Sequence, residues 1–205
     1  MKIAVITGAS SGIGAEFVRQ LDAAENFDEI WVIARRLERL EEIKASSKVR
    51  PLALDLTEQC SFDEYEKLLE ELDPEIAVLV NASGYGYFRG FLDDPLEKQL
   101  DMIDLNSKAL TAMTYMKSGS RIYNMGSMSS IQPVPYINVY AATKAYVLSF
   151  SRALNVELKH RGIKVMAVCP YWVQTEFFDT AINSYCRSIG GIVARSHQQS
   201  REQLA

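Results

Sequence analysis

Thr7-Gly8-Ala9-Ser10-Ser11-Gly12-Ile13-Gly14 follows the apolar run Lys2-Ile3-Ala4-Val5-Ile6 and leads into an amphipathic stretch from Ala15 to Ala24. A short β-rich run, a glycine-interrupted turn and a helical pattern together begin a βαβ unit. Glycines at such a turn let the backbone fold tightly and come close to a phosphate. The next helix offers free N–H groups and the positive end of its dipole to the anion. The spacing differs from the GxGxxG of the commonest dinucleotide fingerprint. Its position between the first strand and the first helix carries the reading, against the alternative of a glycine turn that holds no ligand.

Outward from this turn the chain alternates. Glu29–Arg35, Arg50–Leu56, Ile76–Asn81, Arg121–Ser127 and Lys164–Pro170 read as strands, and Ile76–Asn81 is continuously apolar, as a strand covered on both faces should be. Between them Leu37–Lys44, Ser61–Leu72, Pro95–Met116 and a helix from about Tyr140 to His160 carry helical periodicity. Strands alternating with helices of this length imply parallel βαβ units. With right-handed crossovers they give an α/β, three-layer, doubly wound and mostly parallel sheet. The final stretch, 183–205, contains Gly190-Gly191, turns polar, and reads as an atypical tail to a single domain spanning 1–205.

The chain has 205 residues, enough for one domain with a substantial core. A net charge of -4 without a basic stripe argues against a nucleic-acid surface. No apolar run approaches the ~18 residues of a membrane span, and the first residues enter a strand directly instead of a secretory signal. Cys60, Cys169 and Cys186 lack metal-ligand spacing and His160 and His197 are isolated, so no metal site is expected. These features imply a reduced, cytoplasmic protein.

Asn138-Val139-Tyr140-Ala141-Ala142-Thr143-Lys144 places a phenol and an ammonium four residues apart on one helix face. Joined to the TGxxxGxG turn, this YxxxK resembles the short-chain dehydrogenase/reductase family. Gly8, Gly12 and Gly14 match its cofactor turn, with Ser10, Ser11 and Ile13 between them. Ser127 stands thirteen positions before Tyr140, the family's interval, Asn106 matches a fourth catalytic member, and Asp55-Leu56 match its adenine contact. The resemblance runs from Met1 to about Phe178.

It implies a Rossmann fold in which Tyr140 is the general acid or base, its pKa lowered by Lys144 together with the positive charge of an oxidised nicotinamide; Lys144 also binds the nicotinamide ribose. Ser127 would hold the substrate oxygen, and Asn106 would anchor a water relaying protons through Lys144. Asn81, Ala82 and Gly84 stand where the family has NNAG, with Ala82 replacing the second Asn at some loss of rigidity. Pro170, Val173 and Thr175 follow strand six, the latter two in register to touch the nicotinamide amide and a phosphate. Strand two ends in Arg35-Arg36 with no acid before the next helix. A carboxylate there favours NAD, whereas arginine forks bind a 2′-phosphate, so NADP(H) is expected, with Arg35 the main determinant and Arg36 secondary.

Two departures bear on assembly. The 106–127 span is shorter than the family's by about two helical turns, which leaves a homo-oligomer in doubt. The family's seventh strand and last helix are not recognisable after Phe178.

The expected function is NADPH-dependent hydride transfer between nicotinamide and a small-molecule carbonyl or secondary alcohol, without nucleic acid or membrane. Tyr85, Tyr87, Phe88, Tyr171, Trp172 and Phe177 suggest an apolar or ring-bearing substrate, or simply pack. The alternatives are a catalytically weak NADPH-binding sensor or interaction protein, and an epimerase or dehydratase that recycles its nucleotide.

Overall fold

Six parallel strands lie in the order β3-β2-β1-β4-β5-β6. The computed structural model describes residues 1–112, 116, 118–132, 134–171, 173 and 175–177; of Ala112 only the backbone is described. The strands are β1 (Lys2–Thr7), β2 (Glu29–Ala34), β3 (Lys48–Ala53), β4 (Glu75–Asn81), β5 (Arg121–Met125) and β6 (Lys164–Val168). The helices are α1 (Gly12–Ala24), α2 (Leu37–Glu41), α3 (Gln59–Leu72), α4 (Leu96–Ile103), α5 (Ala109–Ala112) and α6 (Asn138–Glu157). The tail and Trp172 lie outside the described residues, as does any seventh strand.

Alternation along β1 divides the core. Ala4 and Ile6 face α1 and α2, packing with Val18, Leu21, Leu40, Val78 and Val80. Ile3 and Val5 face the other layer, packing with Phe62, Tyr65 and Leu69 of α3 and with Ala109 of α5; Leu154 of α6 joins the edge of that cluster. Complete burial of side chains such as Ile3, Ile6, Ile30 and Leu79 stabilises the fold by roughly 1.5–3 kcal/mol each. The chain order reverses between β1 and β4, and the crevice beyond their carboxyl ends is where open α/β sheets bind ligands.

Several elements end a few residues from where the sequence predicts, and two of these differences bear on the core and the site. β3 ends at Ala53, yet Leu54 and Leu56 stay buried, because the apolar run continues beyond the strand into loop residues that close the core. The helix expected over 95–116 is interrupted after α4 by a π-helical turn, Asp104–Lys108, before α5 resumes. An extra residue in one turn rotates the helix beyond it, and such bulges concentrate at functional sites. Asn106 is the buried residue of this turn.

At the amino-terminal end of the sheet, away from the crevice, Glu29 is buried and bound on every side. It accepts from Arg50 Nε and Nη2 at 2.6 and 2.9 Å, from Lys48 Nζ at 2.7 Å and from Trp31 Nε1 at 2.9 Å. The parallel register that opposes Glu29 to Lys48 and Trp31 to Arg50 builds this cluster directly.

Candidate active site

The glycine turn meets β4 at the switch point. Gly8 has φ +68°, and a Cβ there would lie 2.7 Å from the Ala82 carbonyl oxygen. A Cβ on Gly14 would collide with the Gly8 carbonyl, so α1 can seat on the turn only because Gly14 has no side chain. Gly12, at φ +55°, faces Thr175. Ser11 caps α1 without a side-chain hydrogen bond, and no acidic residue stands in the first turn. The terminal N–H groups beside Ile13 are therefore left to an external anion.

Ala82 does not leave the β4 end loose. The Thr7 hydroxyl accepts from the backbone N–H groups of Ala82 and Ser83 at 3.1 and 3.0 Å. Asn81 Nδ2 donates to Asn124 Oδ1 at 2.8 Å, Asn124 Nδ2 to Ser151 Oγ at 2.9 Å, and the Ser151 hydroxyl to the Val147 carbonyl at 2.6 Å. Because the last acceptor is a carbonyl, every donor points from Asn81 towards α6. Asn81 Oδ1 remains a buried acceptor with no partner among the described residues. It belongs to the wall of a small cavity shared with Thr7, Ser83, Asn106 and Lys144.

Gly84 lets the next loop pass close. A Cβ there would lie 2.8 Å from Asn106 Oδ1 and 3.4 Å from Lys144 Nζ. Asn106 clasps that loop through the Tyr85 backbone, accepting from its N–H at 3.1 Å and donating to its carbonyl at 2.9 Å. Its other amide hydrogen goes to Thr143 Oγ1 at 3.1 Å. Both amide hydrogens are thus engaged, and the side chain ties three elements together.

Tyr140, Lys144, Val147 and Ser151 form the buried stripe of α6. Lys144 Nζ donates to the Met125 carbonyl at 2.8 Å and stands over the Tyr140 ring, 5.6 Å from its centroid. Burial lowers its pKa to about 8. Ser127 caps the short 3₁₀ turn Met128–Ser130, its hydroxyl accepting from Ser129 N–H at 3.1 Å while Ser130 Oγ accepts from Ser127 N–H. That capping box holds the Ser127 hydroxyl beside the Tyr140 phenol, where it favours the phenolate.

The lowered phenol pKa is expected from Lys144 and an oxidised nicotinamide together; the protein's own groups acting alone shift it the other way. Burial raises the Tyr140 pKa, and the neighbouring Ser127 hydroxyl only opposes it. Desolvation under a neighbouring ring is the physical reason: Phe177 packs on Tyr140 with centroids 5.6 Å apart. Phe177 also packs with Phe88, so two of the expected aromatics cluster at the site. Tyr85 turns its hydroxyl to the Lys98 carbonyl, Tyr87 lies under Arg89, and Tyr171 is exposed.

The two arginines part company. Arg35 is exposed, 3.8 Å from Asp55. Arg36 crosses to the glycine turn, donating to Ser10 Oγ at 3.0 Å and Ser11 Oγ at 3.3 Å. Asp55 also receives Thr57 N–H and hydroxyl, and Leu56 is core. The Pro170 carbonyl accepts from Met128 N–H at 3.1 Å, tying the segment after β6 to the Ser127 turn. Val173 and Thr175 line a groove along α1 with Gly12, Ile13 and Phe17. Thr143, Arg39 and Glu176 were not singled out by sequence. They do their work through partners far along the chain, and no local pattern marks them.

With this geometry in place, the chain is a member of the short chain dehydrogenase family, whose model matches residues 2–184. The very-long-chain 3-oxoacyl-CoA reductase of Bos taurus is 33% identical over 190 residues, covering 84% of this chain and 60% of its own. The Homo sapiens protein of the same name is 34% identical over the same shares. The chain therefore spans about 60% of the length of these curated relatives. Among solved structures, a short-chain dehydrogenase from Sphingobium yanoikuyae in complex with NADPH is 32% identical, covers 88% of this chain and 75% of its own, and has a TM-score of 0.81. The bulky-bulky ketone specific alcohol dehydrogenase from Comamonas testosteroni is 30% identical over 85% of this chain and 74% of its own, TM-score 0.77. Among the described residues no helix is long and apolar enough to cross a membrane, and no group of three His, Cys, Asp or Glu side chains could hold a metal.

Proposed function

We propose that the protein is an NADPH-dependent oxidoreductase that interconverts a ketone and a secondary alcohol. The convergence of Ser127, Tyr140 and Lys144 beside the glycine turn, at the carboxyl end of the sheet, carries this reading. The turn suits a dinucleotide: Gly8 and Gly14 leave space that a Cβ would fill, and the α1 N-terminus is uncapped by side chains. Ser10, Ser11 and Arg36 would hold the 2′-phosphate end and Asp55 with Leu56 the adenine. The weight assigned to Arg35 from sequence moves to Arg36, which alone of the pair reaches the turn.

When bound, the nicotinamide supplies or accepts the hydride. Tyr140, kept neutral by burial, donates the proton in the reductive direction. Ser127 donates to the substrate oxygen as charge develops there. Lys144, held by Met125, keeps a positive charge over the phenol and favours its anion once the proton has left. Its proton can be replenished through a water accepted in the cavity shared with Asn81, whose Oδ1 needs a donor. The relatives' names support two substrate classes, 3-oxoacyl thioesters and bulky ketones. A cytoplasmic, reducing setting belongs to the proposal and is supported by the sparse cysteines.

The test is a fluorescence titration with NADPH and NADH, then turnover on both substrate classes for the wild type and Tyr140→Phe. Selective NADPH binding and a fall in turnover of roughly 10²–10⁴ in the variant are expected. Unchanged turnover in Tyr140→Phe would remove the mechanism.

A further inference from the structure

Glu176 has no part in hydride or proton transfer, yet it holds the nucleotide site together from outside. Its Oε1 accepts from Arg39 Nη1 at 2.6 Å and its Oε2 from Arg36 Nη1 at 3.2 Å. Arg36 is the residue whose other terminal nitrogen reaches Ser10 and Ser11 in the glycine turn. Two arginines thus hold a single carboxylate beyond the end of β2, and one of them also donates to two serine hydroxyls of the glycine turn. The flanking Thr175 lies against Gly12, so the carboxylate is brought in by a segment already seated on the turn.

Two guanidinium forks flanked by hydroxyls form an anion site of the kind that binds phosphate monoesters. With Glu176 in place one of the two positive charges is neutralised internally. A ribose 2′-phosphate carries more charge than a carboxylate and three acceptor oxygens, so it can take over both forks. NADH has no group to contend for them.

We propose that Glu176 is a built-in competitor for the 2′-phosphate, so that this residue sets both the affinity for NADPH and the margin over NADH. The inference rests on the protein's being NADPH-dependent and adds a residue that opposes that binding. Both ion pairs are substantially exposed, with side chains 40% and 47% accessible. The competition is therefore modest and sensitive to salt.

Glu176→Gln keeps the shape and removes the charge, at an exposed position where folding is not at stake. Titration at low ionic strength with NADPH, NADH and adenosine 2′,5′-bisphosphate should show the first and third binding about three- to tenfold tighter than to the wild type. NADH should change less than about twofold, and the gain should shrink at high salt. Arg36→Ala, measured alongside, separates the two ideas. If it weakens NADPH selectively while Glu176→Gln leaves NADPH unchanged or weaker, the competitor is refuted and the NADPH reading stands. If Arg36→Ala does not discriminate between the nucleotides, both fall.

Discussion

Replacing Lys144 with Met should abolish turnover and, at neutral pH, make the protein more stable. Met is unbranched and of similar volume, so the packing of α6 against the sheet is retained. Burial lowers the ammonium from its ordinary 10.5 to about 8. At about 1.4 kcal/mol per pH unit, holding the charged form inside costs the folded protein about 3 kcal/mol at neutral pH. Losing the bond to the Met125 carbonyl leaves that acceptor unpaired and offsets about 1–2 kcal/mol. The variant should therefore be more stable by about 1–2 kcal/mol near pH 7. Between about pH 8 and 10.5 the unfolded lysine keeps a proton that the folded one has released, so wild-type stability rises with pH across that window. The variant lacks this rise, and its advantage should shrink and then reverse. Urea unfolding of both proteins at several values between about pH 7 and 10 measures this, since all other titrating groups cancel in the difference. A difference constant with pH would refute the claim that burial governs this lysine.

Two further substitutions probe the ends of the sheet. The carboxyl of Glu29 is held down to about 2 by Arg50 first, then Lys48 and Trp31, from an ordinary 4.5. Its contribution is thus present above about pH 4.5 and lost as pH falls towards about 2. Glu29→Gln should cost about 2–3 kcal/mol at neutral pH and flatten the acid side of the stability curve; parallel curves for variant and wild type would contradict this. Gly14→Ala puts a methyl into the Gly8 carbonyl and should destabilise by about 1–3 kcal/mol. It should also weaken NADPH by tenfold or more. A normal melting temperature with normal binding would show that the turn yields more easily than its geometry implies.

The parts of the site that were legible in the sequence are those whose chemistry is local. Gly8 and Gly14 stand within one turn, and Tyr140 and Lys144 within one turn of α6, so their spacing, read with the family resemblance, picks them out. The strand alternation was equally plain, because β1 and β4 are apolar on both faces. The exact end of β3 was not, since Leu54 and Leu56 are as apolar as the strand that precedes them. The π-helical turn at Asn106 has no marker in the periodicity it interrupts. Glu176 and Arg36 are 140 residues apart, and a pair so remote in sequence is visible only once the segment after β6 has been folded back onto α1. The protonation of Tyr140 is likewise a property of the groups that cover it: YxxxK gives the neighbouring charge but not the Phe177 ring.

The working end of this sheet is distinguished by the exchange of apolar for polar residues at the last position of each central strand. β1 runs Ile3, Ala4, Val5, Ile6 and then Thr7, and β4 runs Ile76 to Val80 and then Asn81. Burying amides and hydroxyls there would be costly unpaired, but Thr7 binds Ala82 and Ser83, and Asn81, Asn124 and Ser151 pass their hydrogen bonds on to α6. The chain of bonds is directional, and its unfilled acceptor opens beside Lys144. Stability and activity are therefore opposed at this one layer. On the proposed mechanism the ammonium is retained where it costs about 3 kcal/mol, next to an acceptor with no partner among the described residues, because a buried, pre-arranged charge over Tyr140 would act on the reacting proton more strongly than a fully solvated one.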